Sequence, residues 1–360
     1  MKVNKIFLFM FMLSFIFAGN ALAERTVTDM SGRAVTIPDK VYRAFPVGHA
    51  MPISLAIAPE NTAVVNRTGD DFVRFSPPSF REGKVGVGSA SPDSIINPNL
   101  PRKKGIPQED AERVKPDLII MEGTKQSVGR ADEVQKRTNV PVIVVDQDMG
   151  KYEESFALLG EVFDEKIQAA RMVGYLKKYL YPVHERAGRI PERDRISFYY
   201  AHGNEGLDTE PGGNKHVQPM EYINAVNIYK TSDFAEGEKS YVATLDDIIR
   251  LKPDVILVAS TDVKNGKAWK EIHNNPKWQD VEAVKDNRIY QTPWLPYSWL
   301  DRPPGSNRIL GSIWMAKTFY PDVFKDLNLS EVIKQYFEVF YHLTITEEDI
   351  KDLVKNPEEN

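Results

Sequence analysis

One short phrase occurs twice in this chain and limits what it can fold into. Residues 114–121 read VKPDLIIM and residues 251–258 read LKPDVILV, with Lys252 lying 137 residues after Lys115. Each copy follows an acidic, helix-like stretch, EDAER at 109–113 and DDIIR at 246–250. Proline cannot continue a helix interior and pushes the residue before it out of the α region, so the phrase stops a helix. The apolar run after it has the character of a strand buried on both faces, as in a parallel sheet. A helix–KPD–strand unit repeated at domain-sized spacing predicts an α/β fold of two similar Rossmann-like lobes. A cleft between two lobes is a preferred place for a ligand.

The chain opens MKVNKIFLFMFMLSFIFAGNALA. Lys2 and Lys5 precede an apolar stretch from Ile6 to Ala18, and Ala21-Leu22-Ala23 makes a small-x-small site. This is the pattern of a secretory leader over residues 1–23, with cleavage expected before Glu24. The apolar stretch is shorter than the roughly 20 residues a spanning helix needs. There is no cysteine. That excludes disulfides, thiolate metal sites, Cys nucleophiles and a lipid anchor on Cys. The expectation is a soluble, exported protein in a periplasm. The 360 residues suit two domains better than one core. A net charge of −5 argues against nucleic acid as a partner.

Along the chain, TVTDMSGRAVTI (26–37) alternates around Ser-Gly and predicts a hairpin, and YRAFPV (42–47) predicts a core strand running into Gly48-His49. TAVVN (62–66) and VPVIVVD (140–146) predict further strands, and residues 67–108 are loop-like, rich in Pro, Gly, Ser and Asn. Between 152 and 187 the apolar residues recur at three- and four-residue steps, the period of helix, interrupted at Gly160, Gly174 and Pro182. A shorter helix followed by a long one is expected, the long one bridging the lobes as a stiff strut. RISFYYAHG (195–203) opens the second lobe as a strand, HVQPMEYINAVNIY (216–229) predicts a helix, and helices are expected near 266–283, 309–320, 330–342 and 346–355. The expected boundaries are a first lobe over 24–150, a helical connection over 151–190 and a second lobe over 191–360.

These residues resemble the periplasmic binding proteins of ABC importers for iron–siderophore, haem and cobalamin, the class with a single rigid interdomain helix. The resemblance rests on VTDMSGRAVTIP, the paired KPD units, the helical connection and YYAHGNEGLDTEPGGNKHVQPMEYINAVNI, and it covers nearly the whole chain after the leader. PYSWLDRPPGSNRILGSIWMAKTFYP further resembles members handling small metal complexes or oxyanions such as molybdate. The resemblance implies a monomeric carrier that delivers its ligand to an inner-membrane ABC permease and its ATPase. It also implies that the acids eight residues before each KPD aspartate, Glu109 and Asp246, meet arginines of the permease. Both begin a helix, where a carboxylate also serves as a cap.

Candidate ligand-binding residues sit at strand exits, which in α/β lobes face the crevice. His49 follows the first strand of lobe one, and Tyr200 and His202 end the first strand of lobe two. His216 ends the Gly-Gly loop, Arg67 follows the second strand, and Trp294, Tyr297, Trp299 and Arg302 crowd one Pro-rich loop. Guanidinium matches carboxylates and oxyanions, aromatic faces stack on planar ligands, and the imidazoles of His49, His202 and His216 can ligate a metal or donate to an anion. The set suits an anionic metal chelate, with an iron chelate of siderophore or haem type placed first on family breadth. Molybdate, tungstate and a nickel or cobalt chelate are alternatives, and no tightly bound cofactor is implied. A periplasmic sensor or a hydrolase on the same scaffold is the reading of another class. No phosphate loop, HExxH, GxSxG elbow or dinucleotide fingerprint supports an enzyme.

Overall fold

The computed structural model describes residues 23–47, 49–62, 115–234, 241–259, 266–301 and 304–356. Residues 1–22 of the leader expected over 1–23, residues 63–66 of the strand expected over 62–66, the loop-rich 67–108 and the helix-like 109–113 lie outside the described residues.

The chain opens with an antiparallel hairpin, β1 (Glu24–Thr28) and β2 (Ala34–Pro38). Asp29 in its turn is buried and accepts hydrogen bonds from the backbone N–H of Ser31, Arg33 and Val144. The carboxylate therefore closes the turn and fastens it to the first sheet. That sheet is parallel, in the order β3 (Ala44–Val47), β4 (Leu118–Glu122), β5 (Val142–Val145). Thr62 bridges in parallel to Ala44 beside it. The helices α1 (Met51–Ile57) and α2 (Val128–Thr138) belong to this half.

Residues 152–188 are helical apart from a turn at 163–165. First comes α3 (Tyr152–Val162). Then α4 (Lys166–Tyr175), a π-helical turn (Leu176–Leu180) and α5 (Tyr181–Gly188) run on without a break. Pro182 accounts for the wider turn. Its ring would meet the carbonyl of Lys178, and it has no N–H to offer. The Tyr181 N–H instead reaches the Leu176 carbonyl, five residues back, and the helix continues past the proline.

The second sheet is also parallel, in the order β11 (Ile289–Gln291), β10 (Val255–Val258), β6 (Ser197–Ala201), β8 (Val226–Asn227). A small antiparallel pair, β7 (Asp208–Thr209) and β9 (Tyr241–Val242), flanks it. The helices of this half are α6 (Gln218–Tyr222), α7 (Leu245–Leu251), α8 (Lys267–Asn274), α9 (Glu282–Lys285) and α10 (Arg308–Phe319), followed by α11 (Leu329–Tyr341) and α12 (Glu347–Val354). The helix expected over 216–229 is thus much shorter. Asn224 takes a left-handed φ of 63° and turns the chain so that Val226 and Asn227 join the sheet. The expected helix near 266–283 likewise stops at Asn274, and a 3-10 turn follows at Trp278–Asp280.

Two parallel sheets, not one, is what the repeated phrase predicts. Both of its lysines adopt left-handed φ, 45° at Lys115 and 49° at Lys252. Lys252 closes α7, and its N–H returns to the Ile248 carbonyl. Each aspartate then grips the start of the neighbouring strand. Asp117 accepts from the N–H of Tyr42 and Arg43 at 2.7 and 2.9 Å, and Asp254 accepts from the N–H and hydroxyl of Ser197, both at 2.7 Å.

Along β6 and β10 the side chains alternate between two cores. Phe198, Tyr200, Val255 and Leu257 face one, and Tyr199, Ala201, Ile256 and Val258 face the other, so both sides of this sheet are dry. The first core is continuous through the helical connection into lobe one. The end of the chain reinforces that continuity. Gln168 of α4 donates to the carbonyls of Ala56 in α1 and Val339 in α11, and the His342 ring meets Ala56 as well. Gly311 lets α10 press onto the Trp299 carbonyl, which a side chain there would overlap.

Candidate functional site

The carboxyl ends of both sheets converge on one polar cluster. β4 ends in Glu122, and the loop after β3 carries His49, whose Nδ1 lies 2.5 Å from Glu122 Oε2. The side chains are 32% and 19% exposed, so the pair lies at the edge of the protein interior. Lys215, from the second lobe, brings its ammonium within 3.7 Å of the other Glu122 oxygen. Burial alone would raise the Glu122 pKa. The hydrogen bond and charge of His49, together with Lys215 and Arg308, outweigh that and hold it below the usual carboxylate value.

On the second lobe, Tyr200 at the end of β6 donates its hydroxyl to Asp301 Oδ1 at 2.5 Å. Asp301 is fully buried, and its other oxygen lies 3.3 Å from His216 Nδ1. His202 stands edge-on to Tyr200 with ring centroids 4.1 Å apart. His216 does not start a helix as expected. It sits in the turn before α6, its backbone N–H held by Asn214.

Arg308 joins the two sides. It is 2% exposed at the start of α10, and it donates to the carbonyl of Gln147 on lobe one and to Gln218 Oε1, 2.9 Å away, on lobe two. Gln218 in turn donates to Asp148 at 2.6 Å, and Gln147 donates to the His49 carbonyl at 2.8 Å. A cation this deeply buried persists because amide and carbonyl oxygens meet its N–H groups.

The structure therefore brings His49, Tyr200, His202 and His216 to the inner ends of the two sheets. Tyr297 and Trp299 are different. Both are buried in the main core, and Trp299 donates its indole N–H to the Leu295 carbonyl. They hold the Pro-rich loop down, and stacking on a ligand would require uncovering them. Trp294 is half-buried against the same core. Arg67, Arg302 and Glu109 lie outside the described residues. Asp246 is exposed in the first turn of α7, and it is Thr244 that caps this helix, accepting the Asp247 N–H at 3.2 Å.

Sequence reasoning missed Glu122, Lys215, Asp301 and Arg308. Glu122 was within reach of the rule that found His49, since it ends the strand of the first KPD unit. Among the described residues, no group of three or more His, Cys, Asp or Glu side chains is placed to hold a metal ion, so the three histidines do not converge on a point. Nor is any helix among them long and apolar enough to cross a membrane.

Two parallel α/β sheets, a helical connection and a polar cluster at the facing strand ends define a solute-binding protein. The chain belongs to the periplasmic binding protein family, which it matches over residues 96–294. It is 24% identical over 351 residues to the molybdate-binding protein MolA of Haemophilus influenzae, covering 89% of this chain and 92% of that one. It is 23% identical over 205 residues to the high-affinity heme uptake protein IsdE of Staphylococcus aureus, covering 52% of this chain and 64% of that one. An ABC transporter solute-binding protein of Sulfurospirillum deleyianum shares the fold with a TM-score of 0.76 at 24% identity, over 92% of this chain and 99% of that one.

Proposed function

We propose that the cargo is a small oxyanion of the molybdate type, taken between the lobes and delivered to an inner-membrane ABC permease and its ATPase. This puts first what the sequence alone ranks behind an iron chelate. One observation carries the change. The lobes already meet across the cleft at hydrogen-bond and ion-pair distance, through Gln218 with Asp148 at 2.6 Å and Lys215 with Glu122 at 3.7 Å. A broad planar chelate would have to part these contacts, whereas a four-oxygen anion needs only a few convergent donors. His49, Lys215 and His216 supply donors from both lobes, and the long relationship to a molybdate-binding protein agrees.

Calorimetric titration with molybdate, tungstate, sulfate, a ferric siderophore and nickel tests the ranking. Molybdate and tungstate should bind tightest. Tight binding of the ferric chelate with no response to molybdate would overturn it and restore the iron reading. For delivery, we propose that exposed Asp246 meets an arginine of the permease, partnered by Glu109 in lobe one. Asp246→Lys should cut transport severalfold while leaving ligand affinity unchanged. Unaltered transport would remove Asp246 from the docking surface.

A further inference from the structure

Two imidazoles, one on each lobe, lie with Nδ1 toward a carboxylate. His49 is hydrogen-bonded to Glu122 through Nδ1 at 2.5 Å, whereas His216 Nδ1 stands 3.3 Å from Asp301 at ion-pair distance, without hydrogen-bond alignment. Neither carboxylate is a casual surface partner. Glu122 ends a buried strand and is approached by Lys215 and by the field of Arg308. Asp301 is fully buried, and Tyr200 fixes its second oxygen. The His49 side chain keeps 32% and that of His216 20% of its surface exposed. What each ring can offer a ligand is the edge away from its carboxylate.

A neutral imidazole has one N–H donor and one lone pair, and a partner on one nitrogen decides which is which. A carboxylate can only accept. It therefore places the proton on Nδ1 and leaves Nε2 as a lone pair. An oxyanion is also an acceptor, so it can bind at Nε2 only when the ring carries a second proton.

We infer that Glu122 is a positioning residue that fixes His49 by Nδ1, with Asp301 set against His216 by charge alone, so that anion capture at the Nε2 edges is coupled to proton uptake. This rests on the oxyanion reading and adds a sign to it. Protonated rings are the binding-competent form, so affinity is greatest at low pH and falls as pH rises through the neutral range. The fall should be about tenfold per pH unit for each coupled proton. A ligand that binds through a metal would show the opposite trend, because it needs the Nε2 lone pair. Among the described residues, the other charged or titratable groups near the two rings are Lys215 and Arg308 near Glu122, and Tyr200 and His202 near Asp301.

Molybdate affinity should be measured from about pH 5.5 to about pH 8.5, the range in which histidine titrates. Proton uptake should be read in parallel from titrations in buffers of different ionisation enthalpy. Wild type should take up protons on binding. Glu122→Gln keeps an acceptor beside His49 but removes the negative charge that faces the ring. It should weaken binding about tenfold at neutral pH and move the fall in affinity to lower pH. A purely structural role would weaken binding equally at every pH and leave proton uptake unchanged, and that result overturns the proposal. Imidazole nitrogen NMR on the protein alone gives a readout independent of cargo. At high pH the neutral His49 ring should carry the proton on Nδ1, and Glu122→Leu should release it to the Nε2-protonated tautomer. Protons on Nε2 in wild type would sink the positioning claim whatever binds. Failure of molybdate to bind at any pH, with Nδ1 protonated, would sink the oxyanion reading and the coupling drawn from it, and leave the positioning standing.

Discussion

The two lobes share a scaffold and differ in what they show the cleft. In both, a left-handed lysine, a proline and an aspartate turn the chain into a parallel strand, and the aspartate ties that strand to the start of its neighbour. Yet lobe one ends its strand in Glu122, half-buried beside His49, whereas lobe two carries Tyr200, buried one residue before the end of β6, which bonds Asp301 beside His216. The acid beside the imidazole comes from the sheet itself in lobe one and from a distant loop in lobe two. The supporting geometry that duplication would preserve is the turn, because backbone N–H groups must be satisfied in either half. The strand tips carry no such obligation and are free to diverge in chemistry.

Arg308 is the sharpest place to break this picture, since it belongs to lobe two and serves both. Replacing it by Met would leave the Gln147 carbonyl and Gln218 Oε1 without their donor at a buried site. We expect a loss of about 3 kcal/mol in chemical denaturation, the scale of a buried charged hydrogen-bonding group removed from its partners. A loss under about 1 kcal/mol would mean that the lobes are held by apolar packing alone. The KPD aspartates compare the lobes directly. Asp117 is partly buried and Asp254 exposed, though each accepts two hydrogen bonds from the neighbouring strand start. Asp117→Ala should cost about 2 kcal/mol, and Asp254→Ala less, because water can replace part of what it gives. Equal losses would show that burial does not separate the two copies.

Much of this architecture was legible in the sequence, because proline punctuation and continuous apolar runs are local signals. VKPDLIIM and LKPDVILV announce parallel strands wherever they stand. The left-handed lysines were not legible, since nothing in a lysine side chain favours that φ. Residues 216–229 misled for a related reason. Their apolar spacing fits a helix, but Asn224 turns left-handed and β6 captures Val226 and Asn227. For the site, the rule that strand ends face the crevice located His49, Tyr200 and His202. It did not reveal that Trp299 would be 1% exposed, nor that Asp301 would turn inward to Tyr200 and His216. The Asp301–Tyr200 contact joins residues 101 positions apart, beyond any local signal. Arg308 lay hidden at the start of a mostly apolar helix, where its partners are a backbone carbonyl and a side-chain amide with no pattern of their own.

The smallest expected effect concerns the acid limb of stability, and it separates the lobes without a ligand. The lobe-one carboxylate Glu122 is held below its ordinary value of 4.5 although burial pushes the other way. A carboxylate with a depressed folded-state pKa contributes stability that is present above the unfolded value and lost as pH falls through the folded one. Glu122 should therefore make the protein lose stability as pH drops below about 4.5, and Glu122→Gln should flatten that part of the curve. His49 and Lys215 would then face a neutral amide, so the variant should also start from a lower plateau at neutral pH. The two curves should approach one another in acid. Parallel curves, separated by a constant gap down to the acid transition, would mean that the Glu122 charge is not coupled to folding and that lobe one is held together without its strand-end pair.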